Sequence, residues 1–364
     1  MTWYGWICAR AEAGPEGSRM PSQTPMRPGE NRVRWGILGT GLIAGWFAAD
    51  LPLSRNGRLQ AVASRDLEKA RRFSEVHGGR PLGSYEALLD DPEIDAVYLA
   101  LPNHLHAEWA IRAAHRGKHV LVEKPMALTE TDALAAFAAA QANGVIMLEG
   151  VMFRSHPQIA LVHRLIQDGR IGRVGLIESS FGGRIGTAPN IRGTREFGGG
   201  ALMDRGVYGV SFSRMVAGAV AGAPFAEPLS ISAVGHRGSI SGVDEWTAVS
   251  LRFADDLLAV VTVATQIPMP PVARIWGTDG NIQLSNPWQA GFQGAPGTVS
   301  VTIGDHEPEV TVLQSPPIYA MEADHFADAM GGNALPPLVA TREDTLGTMR
   351  VLDTARSHLG LDFT

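Results

Sequence analysis

The chain has 364 residues, of which 45% are hydrophobic and 19% are charged, and its formal net charge is −6. Length and composition predict a soluble globular protein with room for two domains. The net negative charge argues against a nucleic-acid surface, and no apolar run reaches the roughly 18 residues that a membrane span requires. A single cysteine, Cys8, has no partner for an internal disulfide and favours a reducing, cytoplasmic compartment.

The first 31 residues differ in character from the rest of the chain. The apolar stretch 3–9 is too short for the core of a signal peptide and has no basic stretch before it. Residues 13–30 are rich in proline, glycine and serine. We therefore expect residues 1–31 to be a disordered leader, with Met20 and Met26 as further candidates for the translation start.

From residue 32 to residue 150, short apolar strands alternate with helix-length segments. A strand is predicted at Val33–Leu38, and a helix is predicted to begin at Leu42, directly after a glycine-rich turn. Repeated strand–helix units indicate a doubly wound parallel sheet with helices on both faces, so this part is predicted to be a Rossmann domain. The other predicted elements here are strands at 59–63, 95–100, 120–122 and 145–148 and a helix at 67–76.

The pattern changes from residue 151 to residue 364. Residues 247–253 alternate apolar and polar side chains, which is typical of a sheet with one buried face. We predict a C-terminal α+β domain with an open, mostly antiparallel sheet, whose last helices pack back toward the Rossmann domain. Its predicted strands are 174–181, 231–234, 247–253, 257–265, 273–276, 282–284, 299–303 and 310–313, and its predicted helices are 159–166, 201–215, 320–330 and 342–358.

The turn after the first strand reads Gly39-Thr40-Gly41-Leu42-Ile43-Ala44. In such a turn the first glycine allows the tight bend, and the second lets a pyrophosphate approach the backbone. The small third residue permits close packing of helix on strand, and the helix N-terminus carries partial positive charge. The turn therefore predicts a dinucleotide-binding site.

The end of the second strand indicates which dinucleotide is bound. NAD enzymes usually place an acidic residue there to hold the ribose 2′-hydroxyl, whereas this strand ends in Ser64-Arg65. A hydroxyl and a guanidinium suit a 2′-phosphate, so NADP is predicted in preference to NAD. Asp66 follows at once and is expected to cap the next helix.

Two further segments follow predicted strands of the same sheet. Lys124 ends an apolar strand, so it is predicted to point into the crevice where open α/β sheets bind ligands. The loop 101–106 is expected to run beside the nicotinamide ribose. The residues predicted here to bind the cofactor are Leu101, Pro102, Asn103, His106, Glu123 and Lys124. His104 and His106 are close in sequence, but no ligand cluster accompanies them, and we predict no metal site.

Asp204 and Tyr208 open a predicted helix after a run of glycines. Their spacing of four places both on one helical face. Tyr208 could be a packed core tyrosine with a satisfied hydroxyl. A second interpretation is chemical: a phenol beside the ammonium of Lys124 has a lowered pKa and can exchange a proton with a carbinol.

Together these motifs resemble the glucose–fructose oxidoreductase, inositol dehydrogenase and rhizopine-catabolism family, from about Val33 to the C-terminus. The resemblance implies NAD(P)-linked oxidoreduction of sugars or polyols, and a C-terminal sheet that mediates a homodimer or a higher homo-oligomer. The catalytic lysine of the family matches Lys124, and its helical aspartate and histidine-or-tyrosine positions match Asp204 and Tyr208.

Many members of the family carry histidine at the position of Tyr208. With tyrosine there, the chain resembles the branch that contains glucose–fructose oxidoreductase, NADP-dependent xylose dehydrogenase and dimeric dihydrodiol dehydrogenase. Residues 149–158 and Asn190-Ile191-Arg192 also resemble that branch, whereas Arg205 departs from it. Arg154 and His156 are expected to face the sugar, and the alternative for Arg154 is a structural ion pair with a carboxylate.

The sequence thus predicts an NADP-dependent sugar oxidoreductase, either an aldose dehydrogenase or a keto-sugar reductase. Lys124 is expected to polarise the reacting oxygen and lower the pKa of Tyr208, the general acid/base, while Asp204 orients the substrate or the lysine. One alternative is a trans-dihydrodiol dehydrogenase, which requires an aromatic pocket. Another is a non-catalytic nucleotide sensor, which the intact set of Lys124, Asp204 and Tyr208 disfavours.

Overall fold

The structure is a computed structural model that describes residues 32–185, 190–336 and 338–361. The predicted leader, with Cys8, Met20 and Met26, lies outside the described residues. Within these three ranges, no helix is both long enough and apolar enough to cross a bilayer.

The first sheet has six parallel strands in the order β3-β2-β1-β4-β5-β6. Its carboxyl ends therefore share one edge, and the strand order reverses between β1 and β4, which creates a ligand crevice at that edge. The strands are β1 Val33–Leu38, β2 Gly57–Ala63, β3 Arg80–Leu82, β4 Ala96–Leu99, β5 His119–Glu123 and β6 Met147–Gly150. The helices are α1 Leu42–Asp50, α2 Leu67–His77, α3 Tyr85–Leu89, α4 His106–His115 and α5 Glu130–Ala142.

The predicted doubly wound sheet is confirmed, and the burial of its strands explains why the sequence revealed it. All four residues of β4 are buried, because helices cover both faces of the sheet. Asp66 caps α2 by accepting hydrogen bonds from the N–H groups of Glu68 and Lys69, as expected. The sequence did not reveal β3, because its three residues, Arg-Pro-Leu, are too few to show a period.

The second sheet has eight strands in the order β14-β13-β12-β11-β7-β10-β9-β8. Only β7 and β10 pair in parallel, so the predicted mostly antiparallel sheet is also confirmed. The strands are β7 Val174–Phe181, β8 Ser230–Arg237, β9 Asp244–Arg252, β10 Leu258–Ala264, β11 Val272–Gly277, β12 Gly280–Leu284, β13 Gly297–Ile303 and β14 Glu309–Leu313. The helices are α6 Pro157–Gln167, α7 Val207–Ala221, α8 Ile318–Met330 and α9 Arg342–His358.

The two faces of this second sheet differ. Alternate residues such as Val249, Val261 and Ile275 are buried in the core on the face that packs against α6 and α7. The opposite face exposes large apolar side chains on neighbouring strands. The alternation read from residues 247–253 therefore corresponds to one buried face and one open face.

The last two helices pack against the layer that surrounds the first sheet. Ser54 donates a hydrogen bond of 2.7 Å to Asp324 of α8. Thr345 of α9 donates one of 2.9 Å to Glu149, at the end of β6. The backbone N–H of Glu130 donates another, of 2.7 Å, to Asp353 of α9. These polar contacts tie the C-terminal helices to the elements that carry the crevice.

Candidate active site

The turn between β1 and α1 has the shape and polarity of a phosphate cradle. Gly39 has a φ of +104°, and a Cβ there would lie 2.5 Å from the carbonyl oxygen of Ala100, so only glycine fits. A Cβ on Gly41 would meet nothing within 4 Å, and no side chain caps the first N–H groups of α1. Open space, unused N–H donors and a helix dipole together fit a pyrophosphate. Thr40, Leu42 and Ile43 form the accessible rim of this cradle.

At the end of β2, Ser64 and Arg65 lie beside the glycine turn, because β2 is the neighbour of β1. The Ser64 hydroxyl accepts a hydrogen bond of 3.2 Å from the N–H of Asp66. Arg65 is exposed, and its guanidinium interacts with the Tyr85 hydroxyl. The Asp66 carboxylate is directed to its own helix, and the Arg65 guanidinium stands exposed at the end of β2.

The loop after β4 is tied to other loops rather than left open. Leu101 is buried and Pro102 begins a single 3₁₀ turn. The Asn103 amide nitrogen donates a hydrogen bond of 2.9 Å to the carbonyl of Gly198. Leu101, Pro102 and Asn103 are thus held at the crevice edge, directly after β4, and their contact with a cofactor stays a prediction.

His106 follows the same loop and is held by main-chain carbonyls. Its ring is buried, with Nδ1 2.7 Å from the Pro125 carbonyl oxygen and Nε2 2.8 Å from the Leu101 carbonyl oxygen. Burial lowers the pKa of His106, although the two carbonyls oppose that shift. Both ring nitrogens of His106 thus face the main chain, and its contact with a cofactor stays a prediction. This side chain joins the loops that follow β4 and β5.

Lys124 brings the predicted catalytic residues together. Its ammonium donates a hydrogen bond of 2.8 Å to the main-chain carbonyl of Asp204 and lies 3.5 Å from the Asp204 Oδ1 atom. The same nitrogen lies 5.2 Å from the centroid of the Tyr208 ring. The three side chains converge at the carboxyl end of β5, although 80 residues separate Lys124 from Asp204.

Asp204 lies in a π-helical turn, Leu202–Gly206, that precedes α7. The Leu202 N–H donates a hydrogen bond of 2.8 Å to Asp244, and a Cβ on Gly200 would lie 2.2 Å from that carboxylate. Gly200, with a φ of +121°, is therefore required for this capping contact. The sequence pattern predicts a simple α-helix here. It does not indicate Asp244, because a lone carboxylate after a turn belongs to no motif. Burial raises the pKa of Asp244 to about 6.

Tyr208 is buried among aromatic rings. Its ring centroid lies 5.9 Å from that of Phe153, 5.5 Å from that of Phe181 and 6.0 Å from that of Trp288. Burial raises the pKa of Tyr208 well above its ordinary value, and the nearby carboxylates, Glu123 first among them, raise it further. The net shift of the Tyr208 pKa is thus upward and not downward as expected, because burial is the largest effect, and the phenol stays protonated at neutral pH.

The Glu123 side chain is buried beside Tyr98. Its carboxylate accepts a hydrogen bond from the Tyr98 hydroxyl, and both side chains are buried. Burial raises the pKa of Glu123, while Lys124 opposes the shift. The side chain is thus engaged within the protein, and any contact of Glu123 with a cofactor is left to its backbone.

Arg154 and His156 do not line the crevice, which corrects a second prediction. Arg154 forms a buried ion pair with Asp344, which corresponds to the alternative of a structural ion pair with a carboxylate. His156 is buried, and its Nδ1 atom caps α6 by accepting a hydrogen bond of 3.1 Å from the Gln158 N–H. Burial lowers the pKa of His156 to about 4, so its imidazole is neutral.

Two arginines complete the polar surroundings of Asp204. The Arg192 Nε atom lies 3.3 Å from Asp204 Oδ1, and the Arg205 Nε atom lies 3.4 Å from Asp204 Oδ2. Arg205 also donates hydrogen bonds to the carbonyls of Gly183 and Ala264. Among the described residues, no group of three or more histidine, cysteine or acidic side chains could hold a metal ion.

A Rossmann sheet with a phosphate cradle, and a lysine beside a buried tyrosine at its crevice, define a nicotinamide-dependent oxidoreductase. Residues 33–151 match the model of the oxidoreductase family with an NAD-binding Rossmann fold, and residues 159–283 match the GFO/IDH/MocA C-terminal domain. The chain belongs to the GFO/IDH/MocA oxidoreductase family.

Relatives of known sequence extend over most of the chain. An uncharacterized oxidoreductase of Rhizobium meliloti is 36% identical over 88% of this chain and 95% of its own length. A trans-1,2-dihydrobenzene-1,2-diol dehydrogenase of Xenopus laevis is 29% identical over 90% of this chain and 98% of its own length. An NADP(+) D-xylose 1-dehydrogenase of Haloferax volcanii is 30% identical over 88% and 95%.

Solved structures share the whole fold. A 3-ketoreductase from Actinomadura kijaniata, in complex with TDP-benzene and NADP, superposes with a TM-score of 0.80 at 29% identity, over 90% of this chain and 98% of that chain. An aldose-aldose oxidoreductase from Caulobacter crescentus, complexed with glycerol, superposes with a TM-score of 0.79 at 27% identity, over 90% and 97%.

Proposed function

We propose that this protein is an NADP-dependent oxidoreductase that interconverts a carbinol and a carbonyl group of a sugar or polyol. The observation that carries this proposal is the convergence of Lys124, Asp204 and Tyr208 at the carboxyl end of β5, in the crevice that also holds the phosphate cradle. The NADP enzymes among its relatives, which act on a keto-sugar and on xylose, support the choice of substrate and cofactor.

NADP would be held by the α1 N-terminus at Gly39–Ile43, by Ser64 and Arg65, and by the loop Leu101–Asn103. When bound, it supplies or accepts the hydride. The remaining catalytic work falls to side chains of this chain. We assign residues 32–150 to cofactor binding and residues 151–364 to substrate binding and assembly, with Lys124 reaching from the first part to the second.

In the direction of reduction, Tyr208 would donate its hydroxyl proton to the carbonyl oxygen while the carbon gains a hydride. A high pKa suits this role, because the phenol is fully protonated at neutral pH. Lys124 would polarise the same oxygen through its ammonium, which Asp204 holds by two contacts. These roles favour a keto-sugar reductase over an aldose dehydrogenase.

A trans-dihydrodiol dehydrogenase remains the second candidate, since Phe153, Phe181 and Trp288 surround Tyr208 and relatives with that activity are known. The charged groups around Asp204 favour a polar substrate instead. The third candidate is a non-catalytic nucleotide sensor. A sensor needs no acid/base residues, so the presence of Lys124, Asp204 and Tyr208 disfavours it.

One assay separates these candidates. Purified protein is mixed with NADPH or NADH and a panel of keto-sugars, and with NADP or NAD and a panel of aldoses, cyclic polyols and a trans-dihydrodiol. The absorbance of reduced nicotinamide is then followed. We expect turnover of sugars with NADP or NADPH. Preferred turnover of the dihydrodiol would select the second candidate, and nucleotide binding without any turnover would select the sensor.

Assembly and location belong to the proposal as well. Leu176, Leu258 and Trp276 are exposed on the adjacent strands β7, β10 and β11, where Leu176 pairs with both of the others. A second copy of the chain would cover this open sheet face and form a homodimer or a higher homo-oligomer. The single cysteine supports a cytoplasmic location.

A further inference from the structure

The carboxylate of Asp204 is surrounded by more positive charge than it can neutralise. Lys124 and Arg192 both approach its Oδ1 atom, at 3.5 Å and 3.3 Å, and Arg205 approaches Oδ2 at 3.4 Å. Lys124 Nζ and Arg192 Nε approach the same carboxylate oxygen, so the two positive charges lie close to each other. Three cations thus share one carboxylate beside the reacting centre.

The three cations differ in how much they are engaged by the protein. Arg205 is only 12% exposed, donates to two main-chain carbonyls, and lies 5.2 Å from the Phe181 ring centroid. Lys124 is 15% exposed and donates to the Asp204 carbonyl. Arg192 is 40% exposed, on a 3₁₀ turn that the Asn190 side chain caps. Arg192 is therefore the most accessible cation of the three.

Nearby acids leave an excess of positive charge. Even with Glu123 ionised, it and Asp204 carry two negative charges against the three cations, and burial raises the pKa of Glu322 well above its ordinary value. Arg192 is close enough to lower the pKa of both Glu123 and Tyr208, which shows that its charge acts on the reacting centre. A half-exposed surface with excess positive charge of this kind favours an anionic ligand.

We infer that the substrate carries an anionic oxygen group, a carboxylate or a phosphate, within about one sugar ring of the reacting carbon, and that Arg192 binds that group. The inference rests on the proposed function, because Lys124 has to contact the reacting oxygen for the two cations to bracket the substrate. A guanidinium suits this role, since its paired N–H groups match the oxygens of a carboxylate or phosphate.

The test compares matched neutral and anionic substrates. Wild-type protein with NADPH or NADP is assayed on a neutral sugar, the corresponding uronic acid, the corresponding sugar phosphate and a nucleotide diphosphate sugar. We expect kcat/KM for at least one anionic member to exceed that of the neutral sugar by about 10-fold or more, the usual contribution of a charge-assisted hydrogen bond. The uronic acid and phosphate arms distinguish the two possible anions.

Variants at Arg192 assign the effect to this residue. Arg192→Gln should lower kcat/KM for the anionic substrate by about 10-fold more than it lowers kcat/KM for the neutral sugar, whereas Arg192→Lys should keep most of the preference for the anion. Arg170→Gln, which removes a surface arginine paired with Glu309, is the matched control and should behave as wild type. An equal loss on all substrates in Arg192→Gln, or no anion preference in wild type, would overturn the inference.

A binding measurement separates this inference from the proposed function. In the presence of NADP, an anionic sugar should raise the midpoint of thermal unfolding of the wild type but not that of Arg192→Gln. If nothing is turned over and this difference is still seen, the proposed reaction fails and the anion site stands. If neutral sugars are turned over and no anion stabilises the protein, the anion site fails and the proposed reaction stands.

Discussion

The Lys124 ammonium lies over the face of the Tyr208 ring, 5.2 Å from its centroid. If both side chains serve one proton transfer, Lys124→Met and Tyr208→Phe should each lower kcat by about 100-fold or more. The double variant should lose much less than the product of the two, because groups that serve one step act as a unit. Stopped-flow hydride transfer on variants shown to be folded by circular dichroism measures this. Near-wild-type turnover in Tyr208→Phe would remove Tyr208 from the mechanism.

The raised pKa of Tyr208 predicts a particular pH dependence. Because the phenol stays protonated, the rate of carbonyl reduction should be nearly constant from about pH 6 to about pH 9. The reverse reaction releases a proton and should become faster as the pH rises. Both rates can be measured under single-turnover conditions. A fall in the reduction rate centred near pH 7 would instead point to an acid with an ordinary histidine pKa.

Arg65 should decide between the two cofactors. Arg65→Ala should weaken NADP binding by about 2 kcal/mol, through loss of a charge-assisted contact to the 2′-phosphate, and leave NAD binding nearly unchanged. Calorimetric titration with each nucleotide measures the two affinities. Arg71→Ala, at another exposed arginine on the following helix, is the control. An equal loss for NAD and NADP would contradict the assignment of Arg65.

Glu149 should make stability depend on pH. Burial raises its pKa from 4.5 to about 7, so the folded protein holds a proton that the unfolded chain releases. Its contribution is fully present below about pH 4.5 and is lost as the pH rises to about 7, a change of about 3 kcal/mol. Glu149→Gln should therefore gain stability relative to wild type between about pH 5 and about pH 8.

Thermal unfolding midpoints of both proteins at the two pH values provide the measurement for Glu149. Glu86→Gln, at an exposed position on α3, is the control and should not change the pH dependence. Parallel curves for wild type and Glu149→Gln would show that the carboxyl is ionised in the folded protein at both pH values.

The open sheet face should hold the oligomer together. Trp276→Arg introduces a charge into the patch formed with Leu176 and Leu258, so it should convert the proposed homodimer to a monomer at micromolar concentration. Light scattering measures the mass. Val76→Arg, at an exposed apolar position on α2, should leave the mass unchanged. A wild-type monomer would remove the proposed interface.

Local patterns were sufficient for much of the fold. Strand β1 and helix α9 have the bounds that the sequence pattern predicted, because β1 is buried along almost all of its length and α9 keeps one buried face over several turns. The turn at Leu202–Gly206 was not predictable in this way, since it is π-helical and the N–H of Leu202 bonds Asp244, which is 42 residues further along the chain. Arg154 and His156 were predicted at the substrate because a motif gives residue types, while burial depends on partners such as Asp344.

The sequence by itself determined the class of protein. A glycine turn, the Ser64-Arg65 pair and a lysine at a strand end are local signals, because backbone geometry and helix N-termini act over a few residues. Only the tertiary structure decided which side chains meet. It sets Lys124 against Asp204 across 80 residues, buries Tyr208 so that its pKa rises, and leaves Arg192 exposed beside them. Charge balance and burial are sums over groups that are distant in sequence, so no local pattern contains them.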